Sequence, residues 1–203
     1  MIDQAVILCG GLGERLRPLT DSVAKPMVDI SGRPFLAMLL EQLGEAGFSR
    51  FVLCSGYRRE QISSYFGDGS SLGYEILYSE GPTAWPTGRR LLEARHLLSD
   101  RFVLMYSDNF AAVDVRSLLA RHIETGSSVT LSISPKPGGN VLVDGDTVLY
   151  QRDRSERMTH VEIGYMLVER DSVLSVLDQH PAAPDVDFAD VRAVTGGIVE
   201  ASG

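Results

Sequence analysis

One stretch near the start concentrates the residues able to do chemistry: Gly10-Gly11-Leu12-Gly13-Glu14-Arg15-Leu16-Arg17-Pro18-Leu19-Thr20, with Lys25-Pro26 close behind. Glycines at such a turn let backbone N–H groups approach an anion with no Cβ in the way. Two arginines and a lysine add fixed cations, the guanidinium for forked contact and the ammonium as a point charge. N–H donors and fixed cations together suit a polyphosphate. Far along the chain, the apolar run 102–106 ends in Ser107-Asp108-Asn109. A carboxylate just past the end of a buried strand is where open α/β sheets place their ligand chemistry.

Two common glycine-loop patterns do not fit. A dinucleotide fingerprint needs a third glycine opening a helix, and here Leu16 stands in that place and Pro18 breaks any helix. A P-loop needs Gly-Lys-Ser/Thr, which is absent.

The elements that must position these residues alternate. Apolar runs at 5–9, 50–55, 74–78, 102–106 and 129–134 read as strands. Helical spacing appears at 35–46, 59–66, 88–98, with Leu91, Leu92, Ala94, Leu97 and Leu98 inward, and at 115–124. Ser31-Gly32 reads as a turn. This alternation implies an α/β fold, a Rossmann-like three-layer sandwich with a mainly parallel central sheet and helices on both faces. From Pro135 the rhythm changes: 141–143 and 147–150 read as a β-hairpin insertion, 161–168 as a strand, 171–177 as a short helix and 188–194 as a last helix.

The 203 residues suit one domain. A formal charge of -8, from 27 acids against 19 bases, argues against general nucleic-acid binding. It permits a small phosphorylated ligand, because the cations at Arg15, Arg17 and Lys25 are gathered in one place. Cys9 and Cys54 sit in apolar strands and read as reduced core thiols of a cytoplasmic protein. Metal-type Cys/His spacing is absent. His96, His122, His160 and His180 share no spacing and read as surface or helix-end residues. No leader or bilayer-length apolar run is legible, so no membrane partner is expected.

The string GGLGERLRPLT followed by KP resembles the G-G-x-G-x-R-x-R-P-x-T…K-P signature of sugar-1-phosphate nucleotidyltransferases. The resemblance covers most of the chain and is strongest over 5–66 and 102–108. KPMVDISGRPFL followed by VLCSGYRREQI is most similar to the heptose 1-phosphate guanylyltransferase branch, and also to the mannose-1-phosphate and N-acetylmuramate-1-phosphate enzymes. The resemblance implies an enzyme that joins a nucleoside triphosphate, GTP by branch, to a heptose or hexose 1-phosphate with Mg²⁺ and releases pyrophosphate. It implies that Leu8, Gly10, Gly11 and Gly13 wrap the nucleotide, with Thr87 and Gly88 in the base-binding segment. Arg15 would hold the β,γ-phosphates, Lys25 the α-phosphate, and Asp108 the Mg²⁺. Asn109, Gly139, Arg152 and Glu162 would meet the sugar phosphate. A homo-oligomer is left open.

Several positions depart from the pattern. Ser107 replaces a glycine, Gln151 a glutamate, and Trp85 and Arg89 stand where small residues are usual. Trp85 either lines the base pocket or caps the core. The family's second metal-binding aspartate is not found before Gly203, so the sequence predicts one nucleotidyltransferase domain over 1–203 lacking the usual C-terminal segment. Asp187 and Asp190 are candidates to replace it; the alternative is that both are ordinary helix-surface acids. Two other functions stay open at this point: a nucleotide-binding regulatory or inactive member, and a nucleotidyltransferase for a non-sugar phosphate such as phosphocholine.

Overall fold

The computed structural model describes residues 2–144, 147–151, 153–189 and 198–200. In chain order the elements are β1 (Gln4–Cys9), a short ribbon of β2 (Asp29–Ile30) and β3 (Arg33–Pro34), α1 (Phe35–Glu45), β4 (Arg50–Ser55), α2 (Arg59–Phe66), β5 (Glu75–Glu80), α3 (Thr87–Glu93), β6 (Arg101–Tyr106), α4 (Val115–Thr125), β7 (Val129–Pro135), β8 (Val141–Asp144), β9 (Thr147–Tyr150), β10 (His160–Glu169), α5 (Arg170–Gln179) and β11 (Ile198–Glu200).

Every residue of β1 is buried, which places it mid-sheet with both faces covered. It pairs in parallel with β4 on one side and β6 on the other. The strand order is β11-β7-β10-β6-β1-β4-β5. β10 alone runs against its neighbours in this path, antiparallel to both β6 and β7. The mainly parallel sheet and the small hairpin, β8 against β9, are as the alternation predicts.

Side chains of one strand feed two cores, because successive residues point to opposite faces. Val6 and Leu8 join Leu91 and Leu92 of α3 and Val173 and Leu177 of α5. Ala5, Ile7 and Cys9 join Leu36, Leu39, Leu40 and Leu43 of α1, Ile62 and Phe66 of α2, and Leu118 of α4. Helices therefore cover both faces, as expected.

The structure revises some boundaries. The helix expected at 88–98 stops at Glu93, and a separate 3-10 turn holds Arg95–Leu97. The fully buried Gln4 side chain explains the break: its amide donates to Leu97 O at 2.9 Å and its carbonyl accepts from Ser99 N at 2.7 Å. Tertiary bonds override the local helical pattern there. At Ser31 and Gly32, φ of 55° and 87° close the β2–β3 turn. Of the last expected helix, Phe188 and Ala189 are helical; 190–194 lie outside the described residues.

Candidate active site

The cleft opens where β1 and β6 end. After Cys9 the chain leaves the sheet as Gly10–Gly13, and Gly13 takes φ 67°, the left-handed region that favours glycine. Its Cα leaves only 2.9 Å between an added Cβ and Lys25 Cβ, so the turn and the lysine are packed together. Thr20 Oγ1 donates to Gly13 O at 2.9 Å and closes the loop. Lys25 reaches the tip of β6, where its Nζ donates to Asp108 Oδ2 at 2.5 Å.

A cleft of about 310 Å³ is lined by Leu8, Gly10, Gly11, Gly13, Lys25, Thr87 and Asp108 among others. Seven sequence-predicted residues thus meet in one place. Arg15 lines an adjoining groove together with Lys25 and Asp108. The cation pair and the carboxylate, far apart in sequence, share one opening.

Other predicted residues lie elsewhere. Gly88 is buried, and a Cβ on it would come within 2.5 Å of Val186 O; its role here is close packing. Gly139 sits in a tight turn where a Cβ would meet His160 O at 1.8 Å. Asn109 packs its amide against Gly164 in β10, and Glu162 donates its backbone N–H to Asn140 Oδ1 at 3.1 Å. None of these four lines the cleft beside Asp108. Arg152 and Asp190 lie outside the described residues.

Three residues left without a role by the sequence, or left ambiguous, line the cleft: Trp85, Arg90 and Asp187. Trp85 resolves as a wall of the opening, with the Arg89 guanidinium 4.7 Å from its ring centre. Asp187 Oδ1 accepts from Thr87 Oγ1 at 2.7 Å and from Ala189 N at 3.0 Å. Thr87 Oγ1 in turn accepts from Phe188 N at 2.9 Å, and Arg89 pairs with Asp185 at 2.7 Å. The segment 185–189 is latched to the start of α3 through these bonds. Arg90 carries no role in the sequence analysis; the structure packs it against Gly10 and Gly56.

Burial pushes the Cys54 thiol up to about 12 and the Cys9 thiol still higher, with the Arg90 charge opposing the rise. Both remain neutral thiols at physiological pH, which fits core packing and excludes a thiolate nucleophile.

Among the described residues no three His, Cys, Asp or Glu converge on a point. Two carboxylates, Asp108 and Asp187, line the same cleft. Mg²⁺ is held by one or two carboxylates together with phosphate oxygens and water. The residues fit an ion shared with substrate phosphates.

A model of the nucleotidyl transferase family matches residues 4–141. The chain belongs to this family. Among nucleotidyl transferases it is 35% identical over 133 residues to a D-glycero-alpha-D-manno-heptose 1-phosphate guanylyltransferase of Aneurinibacillus thermoaerophilus, covering 65% of this chain and 57% of that protein. It is 31% identical over 190 residues to a mannose-1-phosphate guanylyltransferase of Mycobacterium tuberculosis, covering 90% of this chain and 52% of that one. The chain therefore spans about half the length of the curated relatives it matches. In fold it is similar to HddC from Yersinia pseudotuberculosis, complexed with GMP-PN, with a TM-score of 0.78 at 22% identity, covering 98% of this chain and 89% of that one. It is also similar to the inositol-1-phosphate CTP transferase of T. maritima, with a TM-score of 0.80 at 19% identity, covering 98% and 85%. Among the described residues no helix is long and apolar enough to cross a membrane.

Proposed function

We infer that the chain carries the catalytic cleft of a sugar-1-phosphate nucleotidyltransferase, with GTP as the nucleotide and a heptose or hexose 1-phosphate as acceptor. The observation that carries the reading is the meeting of Lys25 and Asp108 at 2.5 Å in a cleft roofed by the glycine turn. The guanylyl preference rests on the activities of the heptose and mannose relatives; uridylyl and cytidylyl relatives also match.

A phosphate oxygen of the acceptor attacks the α-phosphorus in line, the new P–O bond forms, and the bond to the β-phosphate oxygen breaks with its electron pair leaving on pyrophosphate. The nucleophile is already an anion, so no strong general base is needed. The barrier lies in bringing two anions together and in the charge of the transition state. Lys25 releases its contact with Asp108 to hold the α-phosphate, and Arg15 holds the departing phosphates from the adjoining groove. Asp108, assisted by Asp187, would hold Mg²⁺, which when bound neutralises charge on the triphosphate. Arg15, Lys25, Asp108 and the backbone of Gly10–Gly13 position the reacting groups.

The test is pyrophosphate release across five nucleoside triphosphates and a panel of sugar 1-phosphates, with phosphocholine as a non-sugar control. The reading expects turnover with a sugar 1-phosphate, highest with GTP. Turnover with phosphocholine alone, or nucleotide binding with no turnover on any acceptor, overturns it.

A further inference from the structure

Arg90 is a cation buried to 4% exposure with no acidic partner among the described residues. Its guanidinium instead gathers backbone carbonyls from three separate strand ends. Nη1 donates to Ser55 O at 2.9 Å; Nη2 donates to Pro82 O at 2.9 Å and to Gly10 O and Thr83 O, each at 3.3 Å. Those carbonyls lie at or just past the C-terminal ends of β1, β4 and β5, three adjacent strands. The fit is close: an added Cβ on Gly10 would come within 2.2 Å of Arg90 Cζ, and one on Gly56 within 2.8 Å of Nη2.

Two consequences follow from this placement. The first is orientation. Gly10 O also accepts from Tyr57 N at 3.2 Å, so this carbonyl is fixed from two sides. In a trans peptide the N–H of the next residue points opposite to the C=O. Gripping Gly10 O therefore turns Gly11 N–H away from Arg90. Among the described residues, the N–H groups of Gly11, Leu12 and Gly13 have no acceptor within the chain. They are donors reserved for something else. The second consequence is charge. The ionisable groups bearing on Arg90 are the Cys54 and Cys9 thiols, both held neutral by burial. Desolvating an ion costs several kcal/mol unless an opposite charge repays it. Neutral amides could grip the same carbonyls without that cost.

We propose that Arg90 is the positioning residue of the triphosphate site: it holds Gly10 so that the following N–H groups face the cleft, and its unneutralised charge is repaid by the anionic ligand. This rests on the nucleotidyltransferase reading, in that the ligand is a nucleoside triphosphate. It adds a residue that acts through the glycine turn without touching the reacting atoms.

The test compares ligands that share parts of the substrate. Binding of GTP, inorganic tripolyphosphate and guanosine is measured calorimetrically on the wild type and on Arg90→Lys. The variant keeps a charge but cannot span three strand ends. GTP and tripolyphosphate should bind at least ten-fold more weakly in the variant, guanosine within about two-fold of the wild type, and KM for GTP should rise more than kcat falls. A folded Arg90→Lys that binds GTP like the wild type overturns the proposal while leaving the activity reading intact. Equal losses for guanosine and tripolyphosphate also overturn it, since they mark general loosening of the fold. If Arg90→Lys does not fold, Arg90→Gln, whose amide can donate to the same carbonyls without a charge, takes its place, and the same ligand ratios decide. Wild-type protein that binds neither GTP nor tripolyphosphate removes this proposal and the activity reading together.

Discussion

The two ends of β6 each carry an ionic cluster, and they are built differently. At its C-terminal end Asp108 pairs with Lys25, their side chains 33% and 22% exposed, in an open cleft. At its N-terminal end Arg101 pairs with Glu169, whose Oε1 also accepts from His122 Nε2 at 3.0 Å. His122 is buried to 1% exposure, and its Nδ1 lies 2.7 Å from Thr130 Oγ1. The second cluster closes on itself, with both imidazole nitrogens partnered inside the protein. The first leaves a cation and an acid at a cleft where phosphate and metal can replace the partners. One strand therefore offers exchangeable charges at the end where parallel strands present ligands, and fixed charges at the other.

The largest break in this comparison comes from the cleft end. Lys25→Ala and Asp108→Asn should each lower kcat about a hundred-fold or more, a loss of about 3 kcal/mol of transition-state stabilisation. Neither should lower the thermal midpoint much, because a partly exposed ion pair contributes little to stability. Steady-state kinetics beside a melting curve checks both halves. Unfolding of either variant would move this pair into the class of the far-end cluster.

Glu169→Ala inverts the expectation. It strips His122 of an acceptor and Arg101 of its counter-charge, and should cost about 1–3 kcal/mol of stability by denaturant titration. Turnover per folded molecule should be unchanged. A smaller effect belongs to the latch on the cleft wall. Thr87→Val removes the hydroxyl that joins Asp187 and Phe188 N to α3, at about 1 kcal/mol. It should raise KM for the nucleotide severalfold with kcat little altered, because it loosens a wall without removing a phosphate contact.

The legible parts of this site were those in which residue type and chain order coincide. Gly10–Gly13, Arg15 and Lys25 lie within one short stretch, and Asp108 follows a run of strand length, so neither needs tertiary knowledge. The sheet was legible for the same reason, since period-2 and period-3.6 apolar patterns record burial directly. Arg90 was not, because a charged residue in a helical pattern reads as a solvated face, and its acceptors are carbonyls at the ends of three strands. The end of α3 at Glu93 was hidden likewise in the Gln4 amide, far away in sequence. Asp187 was legible only as one of two candidate acids, with an ordinary surface role as the alternative; its place in the cleft depends on Thr87 and on Val186 packing over Gly88. The antiparallel insertion of β10 between β6 and β7 leaves no local trace, since pattern fixes which face is buried and not strand direction.

The gentlest probe of the contrast is pH, and it reads the far end alone. Glu169 can only accept, so His122 donates from Nε2 and accepts the Thr130 hydroxyl at Nδ1 in its neutral form. Burial lowers the His122 affinity for a proton, the Glu169 hydrogen bond and charge partly restore it, and Arg101 lowers it again. The folded state therefore binds this proton less readily than the unfolded chain, whose imidazole titrates near 6.5. A group depressed on folding contributes fully above the unfolded value and loses its contribution as pH falls below it. Stability should be flat in this term above about pH 7 and should decline below about 6.5, at no more than about 1.4 kcal/mol per pH unit for one proton. Urea titrations at pH 7.5 and 5.5 on the wild type and His122→Gln isolate the term. The wild type should lose more stability than the variant across that interval, since the variant has no proton to take up there. Equal losses would mean that the imidazole stays exchangeable on folding, and the closed cluster would then resemble the open one at the other end of β6.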